Sequence, residues 1–253
     1  MASALVAIGL IILAGAFAVS GFSPLRLSRT VAGYEERTKD FVAEFSEVRI
    51  QDVDASIRVL PSEDGRCSVH YDVTGRSNYH IEIVGDALVI EHERHWLDSF
   101  GIFMSAPKLT VYLPRTAYDA LDVQDVSGSI TVEDLDVGTL NIKTTSGSIR
   151  LTDVRAEGDA TLKTVSGSIR LASVRADDLT AGTTSGGIRL DDVDAGSLEL
   201  HTVSGSIKGT LAAGKEFDAS SVSGRISVPE STPGAGACRA STTSGSIAIS
   251  ISE

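Results

Sequence analysis

Residues Ser146-Gly147-Ser148-Ile149-Arg150-Leu151-Thr152-Asp153-Val154-Arg155-Ala156-Glu157-Gly158-Asp159-Ala160-Thr161-Leu162-Lys163-Thr164-Val165 are one turn of a repeat. Its opening string, S-G-x-I, occurs seven times, with serines at Ser127, Ser146, Ser166, Ser185, Ser204, Ser223 and Ser244 in steps of 19 to 21 residues. A fixed period near 20 marks a repeat architecture. Apolar residues alternate within the unit, and Gly, Ser, Thr and Asp punctuate it, which reads as strand, turn, strand, turn. A leucine-rich repeat needs several leucines at set offsets and a helical return, and neither is present.

Stacked unit on unit, like residues fall into columns. Ile130, Ile149, Ile169, Ile188, Ile207, Ile226 and Ile247 form one; Val132, Leu151, Leu171, Leu190, Gly209, Val228 and Ile249 form the next inward one. Side chains at i and i+2 share a strand face, so these columns predict the core of a single-domain, all-β parallel solenoid (β-helix) with coils of about 19–20 residues. Gly128, Gly147, Gly167, Gly186, Gly205, Gly224 and Gly245 mark a structural corner, where freedom to adopt positive φ is the expected reason for glycine. A hydroxyl column at Thr144, Thr164, Thr183, Thr202, Ser221 and Thr242 is expected to point inward and satisfy corner backbone groups, with Asp125 in its place in the first unit.

The chain has 253 residues and a net charge of −12. That balance disfavours nucleic acid, whose phosphates it would repel. Cys67 and Cys238 sit among apolar or small neighbours, and several coil steps separate them, beyond the reach of a disulfide; two buried free thiols are expected.

The chain divides into an apolar segment 1–25, a linker 26–43, irregular β coils 44–120 with an aromatic insertion at 92–107, and the regular solenoid 121–253. Ala4–Phe22 is long enough to span a bilayer as one transmembrane helix, and a cleaved signal segment is the rival. Arg26, Arg29, Arg37 and Lys39 all follow it, which by the positive-inside rule alone places the solenoid in the cytoplasm. Ala55-Ser56-Ile57 stands where G-S-I stands later, and Gly85-Asp86 reads as a hairpin turn. The strand Ile247–Ile251 carries no evident cap, so its open edge invites a second chain.

With the preceding [TS]-x and the following I-x-[LV], the S-G-x-I series resembles the putative-adhesin family of β-strand-repeat domains over about residues 41–251. The resemblance implies a parallel β-solenoid, often behind a membrane segment, with a surface or envelope-associated, extracytoplasmic role. It brings no catalytic residues. Gly187 and Arg225 depart from the pattern by replacing the second serine, and Pro229 and Pro233 stretch the 221–243 unit.

Candidate sites lie beside the motif. Arg150, Arg170, Arg189 and Lys208 follow the isoleucine and should stack as a basic ladder, with Lys143 and Lys163 across the corner. Such a ladder suits an anionic polymer, a glycan or an envelope protein. Trp96, Phe100 and Phe103 make the aromatic loop a candidate contact patch or a lid. His92 and His95 have H-x-x-H spacing without a third ligand and read as solvated or loop-packed histidines, so no metal and no cofactor is expected. Asp134, Asp153 and Asp192 recur at a turn position. No paired carboxylates stand out, and an enzyme is not expected. The expected function is a membrane-anchored, non-enzymatic adhesin-like scaffold. The alternatives are end-to-end self-association and, less favoured, a carbohydrate-active enzyme.

Overall fold

The computed structural model describes residues 34–42, 44–73, 78–93 and 106–252. The apolar segment 1–25 lies outside the described residues. So do Trp96, Phe100, Phe103 and His95. Among the described residues every regular element is a strand, and all nineteen strands join one sheet wound into a coil.

The regular coils are built by β9 (Ile130–Lys143), β10 (Ile149–Ala156), β11 (Asp159–Lys163), β12 (Ile169–Ala172), β13 (Arg175–Thr183), β14 (Ile188–Thr202) and β15 (Ile207–Leu211). Each pairs in parallel with its counterpart one coil away. Ile149 lies between Ile130 and Ile169, and Ile188 between Ile169 and Ile207. The second face repeats this, with Leu140, Ala160, Leu179 and Leu198 in one column. Column residues from Ile130 to Ile207 are essentially inaccessible to solvent. Each such aliphatic side chain contributes on the order of 1.5–3 kcal/mol by leaving water.

Two bends join the faces. At the Ser-Gly corner the glycine has ordinary φ; its role is close approach, which replaces the conformational reason expected from sequence. A Cβ on Gly147 would sit 1.7 Å from the Gly128 carbonyl oxygen, and one on Gly205 would sit 1.8 Å from that of Gly186. The corners of successive coils are stacked too tightly for any side chain. Positive φ occurs at the opposite bend, at Asp134, Asp153, Ser173 and Asp192, all between 50° and 53°. Aspartate tolerates this left-handed region better than most residues, so the recurrent aspartates are turn formers.

Chain order fails at both ends of the stack. At one end, β18 (Ala237–Ser244) and β19 (Ile247–Ile251) occupy the coil next to β14 and β15. The earlier segment, β16 (Glu216–Ser223) and β17 (Ile226–Ser227), lies outside them. Ile247 is therefore flanked by Ile207 and Ile226, which corrects the expectation of an open edge on the last repeat. The outermost coil is the sixth repeat, where Val222 is 81 % and Ile226 40 % exposed. The crossing segment 229–236 covers part of its edge: Ser231 Oγ accepts from the Phe217 amide at 2.9 Å, and the Gly234 amide donates to Glu216 Oε1 at 2.8 Å.

The other end has the same plan. The coil β2 (Glu47–Gln51) and β3 (Ser56–Pro61) lies against β8 (Ala117–Gln124) and β9. Its outer side is covered by β6 (Ala87–Glu93) and β7 (Lys108–Leu113), which come later in the chain. Ile57 pairs with Ile130, so Ala55-Ser56-Ile57 is indeed a degenerate copy of the motif. Antiparallel strands close this end: β4 (Cys67–Val73) on β7, β5 (Asn78–Val84) on β6 through the Gly85-Asp86 turn, and β1 (Glu35–Phe41) on β4. β1 falls within the expected linker 26–43. Its sequence EERTKDF is exposed over six of seven residues, and charge on an edge strand discourages further pairing.

Both excursions, 62–116 and 212–236, are inserted at one position of the coil, between the first strand and the second. Each supplies the layer that covers its own end.

Candidate functional site

The serine-glycine corner is flanked by outward columns that the parallel register assembles. Arg150 pairs with Arg170, Arg170 with Arg189 and Arg189 with Lys208, so the expected basic ladder exists rung by rung. All four are exposed. Sheet geometry separates rungs by roughly 4.8 Å. At that distance like charges repel by about 1 kcal/mol per neighbouring pair even in water. Among the described residues none of the four has a carboxylate within 4.0 Å. Acidic neighbours thus do not neutralise the ladder by direct pairing.

Arg58, which sequence reasoning passed over, continues the column through Thr131. Glu133 faces it at 3.7 Å, so this member is neutralised. A shallow groove of about 240 Å³ runs beside the ladder, lined by Ser168, Arg170, Gly187, Arg189, Ser206 and Lys208 among others. Gly187, the departure from S-G-S, opens it by removing one hydroxymethyl group. Lys143 and Lys163 pair across the corner, but the next rungs are Gly182 and His201, so this second column holds two lysines only. The His201 ring bonds Ser241 Oγ at 2.9 Å.

At the other bend a different column reads Asp136, Arg155, Arg175, Asp194. It lines a groove of about 430 Å³ in which Asp136, Asp153, Asp192 and Asp194 outnumber Arg155 and Arg175. The two bends therefore differ: one groove is lined by more aspartates than arginines, and the other presents a run of cations with no acidic residue in its lining, on a protein of net charge −12.

Beneath the Ser-Gly corner lies the hydroxyl column. Thr164 Oγ1 donates to the Gly147 carbonyl at 2.9 Å and accepts from the Gly167 amide at 3.1 Å. Thr183, Thr202 and Thr242 donate to Gly167, Gly186 and Gly205 at 2.8, 2.8 and 3.0 Å. Ser221 donates to Gly245 at 2.9 Å, which follows the spatial order of coils rather than the chain order. Asp125 holds the equivalent place beside Thr144, whose hydroxyl it accepts at 3.3 Å. Burial, then the charge of Asp52, pushes the Asp125 carboxyl up to about 6.

Both cysteines are free and buried, as the sequence suggested. Burial pushes the Cys67 thiol up to about 12 and the Cys238 thiol up to about 11. Neither is a poised nucleophile at neutral pH.

No curated protein matches the chain. Solved structures to which it is similar include a putative cell adhesion protein from Clostridium sporogenes, with 10 % identity, a TM-score of 0.46, and coverage of 87 % of this chain and 100 % of that one. A putative adhesin from Bacteroides fragilis has 16 % identity, a TM-score of 0.47, and coverage of 87 % and 99 %. A structure named as a putative lipid binding protein from Parabacteroides distasonis has 14 % identity, a TM-score of 0.47, and coverage of 85 % and 97 %. Residues 45–253 match the family described as Toastrack DUF4097, and at that extent the chain belongs to it.

Proposed function

We propose that this protein is a non-catalytic recognition scaffold, tethered to a membrane by segment 1–25 with the solenoid on the extracytoplasmic side. Its ladder of Arg150, Arg170, Arg189 and Lys208 binds an extended anionic polymer of the cell envelope. The observation that carries this reading is the set of four exposed, in-register cations with no carboxylate partner among the described residues. A polyanion whose charges recur at about the sheet spacing would neutralise the rungs together. The acidic remainder of the surface would confine it to the stripe. Electrostatic complementarity of this kind acts on partner choice and on-rate, and salt screens it.

The test is retention on immobilised heparin and alginate. Replacing Arg150, Arg170 and Arg189 together by Gln should lower the eluting salt concentration at least twofold. Replacing Arg155 and Arg175 by Gln, from the acid-rich bend, should leave it nearly unchanged. Equal behaviour of the two variants would overturn the proposal. Protease shaving of intact cells tests the side of the membrane: cleavage of the solenoid only after permeabilisation would count against the extracytoplasmic placement.

A further inference from the structure

The inward column under the Ser-Gly corner changes chemistry at one end of the stack. From Thr144 onward it is a line of neutral hydroxyls, each satisfied by a neighbouring corner. Before Thr144 it becomes Asp125, then Asp52, then His92, because Gln51 pairs with both Gln124 and Glu91 and the next residue of each strand enters the column. Asp52 is 6 % and Asp125 6 % exposed.

Asp52 is held rigidly. Its Oδ1 accepts the amides of Val53, Asp54 and Ala55 at 2.6, 3.0 and 3.0 Å, and its Oδ2 accepts the Tyr79 hydroxyl. The Tyr79 ring packs on His92 with centroids 5.1 Å apart, which fixes the imidazole over the same spot. His92 lies on β6, not on the expected loop, and it is partly buried.

Among the described residues only two buried side-chain polar atoms have no hydrogen-bond partner: His92 Nδ1 and Asp125 Oδ1. They flank Asp52 in this one column, on its two sides. A buried polar atom without a partner costs on the order of 1–3 kcal/mol, and two of them beside a buried carboxylate call for a missing group. Asp54, at the corner, brings a second carboxylate to the place. Asp52, Asp54 and His92 each present a donor atom, and the three lie within 4.8 Å of one another.

We propose that Asp52, Asp54 and His92 bind a first-row divalent cation, with Zn²⁺ the best match. One imidazole nitrogen with carboxylate oxygens is a borderline donor set that suits such an ion better than Ca²⁺ or Mg²⁺, which take oxygen alone. The ion offsets the negative charge that Asp52 and Asp125 place in a dry column. It also pins β2 to β6, the contact by which the covering layer holds its end of the stack. This site does not depend on the basic ladder.

Calorimetric titration of the metal-stripped full chain with ZnCl₂ tests it, with thermal melts and Co²⁺ absorption as independent readouts. One ion per chain is expected, with a higher Tm. Asp54→Asn and His92→Gln should each weaken binding at least tenfold and abolish the Tm rise. His80→Gln should change neither, since that exposed side chain pairs with Glu82 and Glu93, away from Asp52 and Asp54. Asp54 is exposed and makes the decisive variant if His92→Gln fails to fold. Absence of stoichiometric binding, equal binding by Asp54→Asn, or saturation by Ca²⁺ in preference to Zn²⁺ would overturn the site.

Discussion

Between Ile130 and Leu211 each coil lies on the coil before it, in register but for one shift between Leu190 and Val193, with its isoleucine, glycine and threonine at fixed places. At the two ends the same motif is present, but neighbours in space are no longer neighbours in sequence. Ile247 sits inside Ile226, and Ile57 sits inside the later strand β7. A repeat specifies what a coil packs against but not which copy supplies it. Any segment with the right columns can fill a rung, and the length of the connection decides which one reaches it.

The largest effect should come from removing a tucked coil. A chain ending at Gly236 loses β18 and β19, leaving β16 and β17 without the strands they pair with. Cooperative unfolding should be lost or Tm should fall by more than 10 °C in a circular dichroism melt. Replacing 212–236 by Asp-Ala-Gly, the residues that join the two strands in the preceding coil, should instead let β15 run directly into β18. That chain should still melt cooperatively. If both deletions behave alike, 216–227 is an integral coil rather than an insertion.

A smaller effect is expected inside the regular coils. Gly205→Ala drives a Cβ to 1.8 Å from the Gly186 carbonyl oxygen, where two backbones must part, so a loss of about 3 kcal/mol or more is expected in urea unfolding. Gly182→Ala meets nothing within 4 Å and should be neutral within about 0.5 kcal/mol. Equal costs would mean that the corner stacking is looser than its geometry.

The smallest effect reports on the ends themselves, each of which carries one thiol. Burial raises both thiols above their ordinary 9.0, Cys67 to about 12 and Cys238 to about 11. Their stabilising contribution is therefore complete below about pH 9 and is lost as pH rises through about 11 to 12. Replacing both by Ala should flatten that alkaline decline. At pH 8 neither should react with a thiol reagent until its end opens. Cys67, on a strand of the antiparallel cap, should react before Cys238, which is enclosed between β14 and β16. The reverse order would place the weaker end at the tucked coil.

Much of this fold was legible in the sequence because a strand's period and a coil's period are both exact counts. The core columns, the basic ladder, the Asx-type bend and the Ala55-Ser56-Ile57 copy all follow from counting. The stretched 221–243 unit was visible as well, with its two prolines, yet counting cannot say that the seventh copy takes the rung ahead of the sixth. The role of the corner glycine was misread because sequence shows its conformational licence and hides the carbonyl oxygen above it. His92 was legible only as half of an H-x-x-H pair. Its partners Asp52 and Asp54 lie some forty residues earlier, and only the reversed order of β2 and β6 brings them together.

The tuck at 237–251 also bears on how the molecule is made. Residues 216–227 leave the ribosome before the strands they pack on exist. Until those strands arrive, β14 and β15 present an open edge beside an unplaced apolar segment that includes Phe217, Val222 and Ile226. Left alone, that segment can dock directly on β14 and β15, in the rung reserved for β18 and β19. The nascent chain thus faces a competition between two nearly equivalent copies for one vacancy, and the slow step of folding is expected to be eviction of the earlier copy.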